Sequence, residues 1–560
     1  MNFAASKFRR AVFLLSFIGV ILFVGSACTG DETLNSNLEN EDGSQHEDRY
    51  VEGVLGNWGR LNPLFVDANP VDSDISRLVF AGLVRIASDG SVVSDMAYMP
   101  DVDEAKTSYT FTLKKDLKWH DGTPVTSRDV FFTIKQITGP DFRGSEQTNL
   151  FWRNLEIEVP DERTIIFKLK APFSPFLARF ATVGILPEHL LRGLSGEDLF
   201  NAPFNAFPIG SGPYRINKVT SSSVHFLAWE DYHFGEPAME KFEIRFYKDL
   251  STALLDIEAK SIQSLYLRDF LSLEDYEKVV RLKDSALYDV QRSGALVFSL
   301  NLEKIGYFDD YRVRKAFSLV LDRARIAETV FFGRFNPSAS FVVPDSWAYV
   351  SEEDVVASEI GVTSSYQQNL KLANELLSDA GWREHPTTGI RINDENEEFN
   401  FIIRTDHDPA HSKLALEIAK HLELLGVRTS VATTPFSVLL RDFLLPGNYD
   451  AALIVIDPGA DPDPYFFLHS SQTLFSGFNV SNFTSLSVDK LIERGRGYLE
   501  IDIRFDVYRQ LQELWRKEIP SIVLGYPMDT YIRPVGSPEL DRRIVFSSAD
   551  RFFDIHLWPQ

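Results

Sequence analysis

The sequence predicts an α/β protein, and three observations carry that expectation. In the first half, short runs alternate apolar and polar residues, as half-buried strands do. In the second half, strand-like runs alternate with helix-spaced apolar residues, the order that gives a parallel sheet with helices on its faces. At 44% hydrophobic and 24% charged, the 560-residue chain holds enough apolar material for ordinary cores.

The elements follow in chain order. Tyr109-Thr110-Phe111-Thr112-Leu113 alternates and reads as a strand. Thr126-Ser127-Arg128-Asp129 is a capping box, whose side-chain oxygens meet the free amides of a helix start. Val130, Phe131, Ile134 and Ile137 then continue at helical spacing, and Ile165, Phe167 and Leu169 alternate again. Gly210-Ser211-Gly212-Pro213 signals a turn. Val224, Phe226 and Ala228, followed by Phe242, Ile244 and Phe246, read as neighbouring antiparallel strands. Asn400 to Arg404 reads as a strand, and Leu414, Ile418, Leu422 and Leu425 mark a helix closed by Gly426. Val427 to Ala432 is a strand, Val438 to Leu445 a helix, and Tyr449 to Ile456 a buried strand. No internal repeat is visible.

The chain opens differently. Lys7, Arg9 and Arg10 precede an apolar run from Ala11 to Val24, then small residues and the single cysteine, Cys28. This is the three-part layout of a secretory signal. The box Val24-Gly25-Ser26-Ala27-Cys28 resembles that of bacterial lipoproteins, cut before a cysteine that is then lipidated. An uncleaved transmembrane anchor is the rival reading, since residues 11–30 carry no charge. Either way the basic end stays inside and the rest lies outside the cytoplasm. Residues 29–50 are acidic and poor in apolar side chains, and read as a disordered tether spanning about 25 Å. A lone cysteine excludes any disulfide within the chain.

Net charge is −23, and losing residues 1–27 removes three positive charges and no acid, leaving −26. Such a surface repels nucleic acid, so no nucleic-acid partner is expected.

Several segments together resemble the family-5 solute-binding proteins of ABC importers, the oligopeptide- and dipeptide-binding group. They are Leu61-Asn62-Pro63-Leu64, Tyr109 to Lys114 with Trp119-His120-Asp121-Gly122-Thr123-Pro124, and Pro208-Ile209-Gly210-Ser211-Gly212-Pro213-Tyr214. Asp231 to Gly235, Phe298 to Asn301, Val313 to Phe317 with Leu321-Asp322-Arg323, and Ala373 to Leu377 with Ala380-Gly381 also fit. The resemblance implies a periplasmic-binding-protein-like α/β fold of class II, with two lobes, a hinge and three domains. It implies residues 51–78, 208–292 and 521–560 as the core of one lobe, 79–207 as an extra domain on it, and 293–520 as the second lobe. Hinges are expected near Ser293 to Asn301 and Pro520 to Gly525. The Trp119 to Pro124 stretch is expected to be structural, with Gly122 and Pro124 in a turn.

Ligands of open α/β sheets gather beyond the carboxyl ends of strands. The strand ending at Ile456 runs into Asp457-Pro458-Gly459-Ala460-Asp461-Pro462-Asp463-Pro464, three carboxylates in a proline-stiffened loop. The resemblance implies that Asp457 or Asp461 receives the α-ammonium group of a peptide. Peptide binders carry a tryptophan just before this aspartate, where this chain has Leu453-Ile454-Val455-Ile456. Arg404 is a candidate partner for a ligand carboxylate, or a surface ion pair. Ser293 and Gly294 are candidates for a strand-like edge that binds peptide main chain. No cofactor and no catalytic residue is expected. The expected partners are a short peptide or other small solute, permease subunits of an ABC transporter, and the membrane through the lipid on Cys28, with the protein a monomer.

Two rival chemistries exist in the sequence. His407 and His411 have the spacing of paired metal ligands, but Pro409 between them points to a helix start. Ser487-Val488-Asp489-Lys490 fits the S-x-x-K pattern of acyl-enzymes, yet no SDN or KTG partner accompanies it, and Ser487 reads more simply as a helix N-cap. A surface interaction module on the same fold would keep every folding motif above.

Overall fold

The computed structural model describes residues 49–268, 271–351, 365–473, 477–537 and 544–559. Cys28, the signal segment and the tether up to residue 48 lie outside the described residues. Tyr50, assigned above to the tether, instead opens the first strand, Tyr50–Leu55, and its ring stacks on Phe242 with centroids 5.9 Å apart.

One mixed sheet organises the molecule. Its strands lie in the order Arg428–Thr433, Asn400–Thr405, Ala451–Ile456, Ala295–Leu300, Ile522–Pro534, Ser264–Leu267, Tyr50–Leu55, Lys241–Tyr247, Ser223–Ala228 and Tyr214–Val219. The alternating pattern of the first half pairs as expected: Ile244 lies opposite Val224 and Phe242 opposite Phe226, antiparallel. In the second half Asn400–Thr405 runs parallel to both Arg428–Thr433 and Ala451–Ile456. The connecting helix, Pro409–Glu423, buries Leu414, Ile418 and Leu422 against the sheet. Gly426 follows it at φ +71°, the left-handed conformation that ends helices.

A separate four-stranded antiparallel sheet is formed by Asp101–Val102, Ser108–Thr112, Thr164–Lys168 and Glu156–Glu158. Tyr109, Phe111, Ile165 and Phe167 point to one face and are fully buried there. The helix Ser127–Ile137 begins with the expected capping box, in which Asp129 accepts from the Thr126 amide at 2.8 Å.

Buried apolar side chains fall into two large clusters, one built from residues between 295 and 544, the other from residues between 54 and 244 with Phe552 and Ile555. Each fully buried Leu, Ile or Phe contributes about 2 kcal/mol, so each cluster is a core in its own right.

The two halves of the sheet share one long strand, Ile522–Pro534. Its beginning pairs with Ala295–Leu300, with Phe298 opposite Ile522, and its end pairs with Ser285–Arg292, with Gln291 opposite Met528. Between those two partner strands the chain passes only through Ser293 and Gly294. Gly525 sits at the corresponding point of the long strand with φ +148°, and a Cβ there would stand 2.3 Å from the Asn336 carbonyl oxygen. Only glycine allows so close a backbone approach.

Candidate ligand-binding cleft

Three adjoining cavities form one cleft at this crossing. The first, about 210 Å³, is lined by Asp67, Arg77 and the Phe180 to Gly184 region. The second, about 320 Å³, is lined by Asp67, Arg268, Arg292, Ser293, Asp457, Asp529, Ser547 and other residues. The third, about 520 Å³, runs from Asp457 along Ile454 to Ile456 and Phe436 to Leu444. Asp67 belongs to the first two, Asp457 to the last two, and Arg179 to the first and third. Walls therefore come from the chain before residue 208, from Arg268 and Arg292, and from the chain from residue 293 onward.

The strand Ala451–Ile456 delivers Asp457 to the junction of the second and third cavities. The Ser293 hydroxyl donates to both carboxylate oxygens of Asp457, at 2.9 and 3.0 Å, and the Gly459 amide donates at 2.8 Å. The carboxylate is thereby held in one orientation while its side chain remains open to the cleft. The surrounding protein displaces water and pushes its pKa up, against the opposing pull of Gly459, Ser293, Arg292 and Arg179. Among the described residues no cation forms a salt bridge with it.

The neighbouring acids are committed elsewhere. Asp461 is buried, with the Arg504 guanidinium at 2.7 Å and the Tyr508 hydroxyl at 3.3 Å. Asp463 is buried beside Arg496 Nε at 3.2 Å. Of the two aspartates that the sequence offers as amine receptors, the structure opens Asp457 to the cleft and closes Asp461 inside an ion pair. The loop thus carries one exposed acid, oriented by Ser293 and Gly459, and two buried acids each paired with an arginine.

Gly294 lies directly beneath this acid. A Cβ at Gly294 would stand 2.9 Å from Val455 Cγ1 and 3.5 Å from Asp457 Cβ. The Ser293 amide donates to the Val545 carbonyl at 3.1 Å, so that donor is taken, and the Ser293 hydroxyl reaches Asp457. Arg404 is not brought to the cleft. It pairs opposite Ala452, five residues before Asp457, which puts it about 16 Å away along the sheet. Nor is it in a surface ion pair among the described residues: its guanidinium lies 3.8 Å over the Phe443 ring.

The rival motifs resolve into helix starts. Asp408 caps the helix Pro409–Glu423 by accepting from the Ala410 and His411 amides, and His411 Nδ1 bonds Asp406 at 2.9 Å. Among the described residues no group of three or more His, Cys, Asp or Glu is placed to hold a metal ion. Ser487 is not the N-cap, because the helix Leu486–Gly497 starts one residue earlier, after Ser485. Ser487 is exposed inside its first turn.

Sequence reasoning missed Asp67, Arg179, Arg292 and Asp529. The two arginines have partners: Arg179 donates to the Pro458 carbonyl at 3.2 Å, and Arg292 lies 3.8 Å from Asp529, which also accepts from Tyr266. Asp67 closely follows the Asn62-Pro63-Leu64 motif, the one signal that marked its neighbourhood. Protein packed around Asp67 pushes its carboxyl up as well, although the residue keeps an exposed surface.

The sequence profile of the bacterial extracellular solute-binding proteins, family 5, matches residues 91–477. The chain belongs to that family. As a family-5 solute-binding protein it is 24% identical over 534 residues to the oligopeptide-binding protein AppA of Bacillus subtilis, covering 94% of this chain and 95% of AppA. The solved structure of AppA with a nonapeptide superposes with a TM-score of 0.67 at 23% identity, over 91% of this chain and 98% of that one. The structure of NikZ from Campylobacter jejuni with Ni(L-His) superposes with a TM-score of 0.69 at 21% identity, over 92% and 99%. These likenesses establish the two-lobed class II fold expected from the sequence. Family-5 members work outside the cytoplasm and bind solutes rather than transform them.

Proposed function

We propose that the protein captures short peptides outside the cytoplasm and hands them to the permease of an ABC importer, with Asp457 receiving the peptide's free amine. The observation that carries this reading is the state of Asp457. It is fixed by Ser293 and Gly459, open to the cleft and, among the described residues, without a salt bridge, while Asp461 and Asp463 of its loop each have one. A carboxylate–ammonium contact there is a strong charge-assisted hydrogen bond. AppA, a relative over nearly its whole length, is named as an oligopeptide binder.

The two crossings at Ser293-Gly294 and near Gly525 serve as the hinge, between one lobe of residues 51–78, 208–292 and 521–560 with the extra domain 79–207, and another of residues 293–520. A solute that touches both lobes only when they are closed biases that state. Lipidation of Cys28 holds the protein at the membrane surface as a monomer.

A thermal-shift screen against di- to pentapeptides, nickel chelates and oligosaccharides tests the reading. Peptides are expected to raise Tm, and the same peptides to shrink the radius of gyration in solution scattering. Stabilisation by nickel chelates or sugars and by no peptide would refute it.

A further inference from the structure

The cavity of about 520 Å³ beside Asp457 has a chemistry that its neighbour lacks. Its wall is built from Phe436, Leu440, Leu444, Ile454, Val455 and Phe478. Three of these stand open in the same concavity: Phe436 is 57%, Val455 43% and Phe478 41% exposed. Large apolar side chains scattered singly over a surface are ordinary; gathered in one hollow they mark a place for apolar contact. The segment Leu439–Leu444 is a π-helical turn, closed by the Leu445 amide donating to the Leu440 carbonyl at 3.0 Å. Such widened turns are rare and recur at functional sites. Here the turn faces both Leu440 and Leu444 into the hollow.

Among the described residues, Arg179 at the rim bonds the Pro458 carbonyl and Asp463 lies beside Arg496, whereas Asp457 forms no salt bridge. An apolar hollow with one orienting carboxylate at its mouth matches a ligand with an amine at one end and a bulky hydrocarbon beside it.

We infer that this chamber receives a large apolar side chain carried next to the amine bound by Asp457, so that the protein prefers peptides whose first residue is bulky and apolar. This rests on the reading that Asp457 takes an amine, and it adds a selectivity which a purely main-chain-directed site would not have. Burial of such a side chain is expected to give at least about tenfold discrimination against glycine at that position.

Calorimetry on the full chain compares Phe-Ala-Ala with Gly-Ala-Ala, and phenethylamine with ethylamine. The expected result is tighter binding of the bulky member of each pair. Val455→Asp, at an exposed position of the chamber wall, and Leu440→Ala are each expected to shrink the difference within both pairs. Equal affinities within both pairs would overturn the chamber, while the amine reading would stand if Asp457→Asn weakened all binding. A phenethylamine preference without peptide binding would uphold the chamber and end the peptide reading. Binding by none of the four compounds would end both.

Discussion

The imidazole of His120 is clamped by Gly210 and Gly212: Nε2 donates to the Gly212 carbonyl at 3.0 Å, and Nδ1 accepts from the Gly210 amide at 3.2 Å. Two of the stretches that resemble the family, Trp119 to Pro124 and Pro208 to Tyr214, thus hold each other. The Trp119 to Pro124 stretch is structural, with Trp119 fully buried.

This clamp works only with a neutral ring, and burial lowers the His120 pKa to about 4, beyond what the Gly212 bond restores. The unfolded chain takes up its proton near pH 6.5, so between about pH 6.5 and 4 the unfolded state binds more protons. The contribution of His120 is therefore whole above pH 6.5 and is lost as pH falls towards 4, by about 3 kcal/mol. Urea denaturation at pH 7, 6, 5 and 4 should show a shallower fall for His120→Gln than for the parent protein. Parallel curves would mean that the ring is already charged in the fold.

Asp457 is expected to behave as a binding residue that opposes stability. Its folded pKa is raised, so its stabilising contribution is full below the ordinary carboxylate range and lost as pH rises through the folded value. At pH 7 Asp457→Asn should raise the Tm of the unliganded protein and weaken peptide binding by about 10- to 100-fold. For the parent protein, affinity should decline on acidification from a pH above the usual carboxylate range, measurable by titration calorimetry.

Asp461 should give the opposite pattern. Its removal strands the Arg504 guanidinium in a buried site, a loss of about 3–5 kcal/mol. Asp461→Asn should therefore melt at a lower temperature yet retain peptide affinity at 20 °C. A normal Tm with lost binding would return Asp461 to the amine site.

Two glycines separate folding from recognition. Gly525→Ala forces a Cβ against the Asn336 carbonyl at a φ that side chains resist, and should cost more than about 1 kcal/mol in chemical denaturation. Gly294→Ala meets only Val455 and the Asp457 side chain, and should weaken binding more than it destabilises.

Much of the fold was legible because it rests on local rules. The capping box at Thr126, the alternation around Phe111 and Phe167, and the Gly426 stop each depend on a few adjacent residues. The site was legible only in part. Asp457 announced itself at the end of a buried strand, but what distinguishes it from Asp461 is Arg504, 43 residues further on, whose approach no local pattern encodes. Ser293 was marked, but for its main chain; its hydroxyl bond to Asp457 spans 164 residues. Arg404 looked like a ligand contact because strand ends attract such roles, yet its own strand stops short of the cleft. Val438 to Leu445 read as an ordinary helix, since apolar spacing does not separate an α from a π turn.

The strand Ile522–Pro534 occupies the middle of the sheet although it comes from almost the end of the chain. Its neighbours, Ala295–Leu300 on one side and Ser264–Leu267 on the other, precede it by more than 200 residues of chain. Closure over so long a stretch of chain is slow. Joining the two halves of the sheet is therefore the long-range step of folding, and the slower one beside the local hairpins such as Ser223–Ala228 with Lys241–Tyr247.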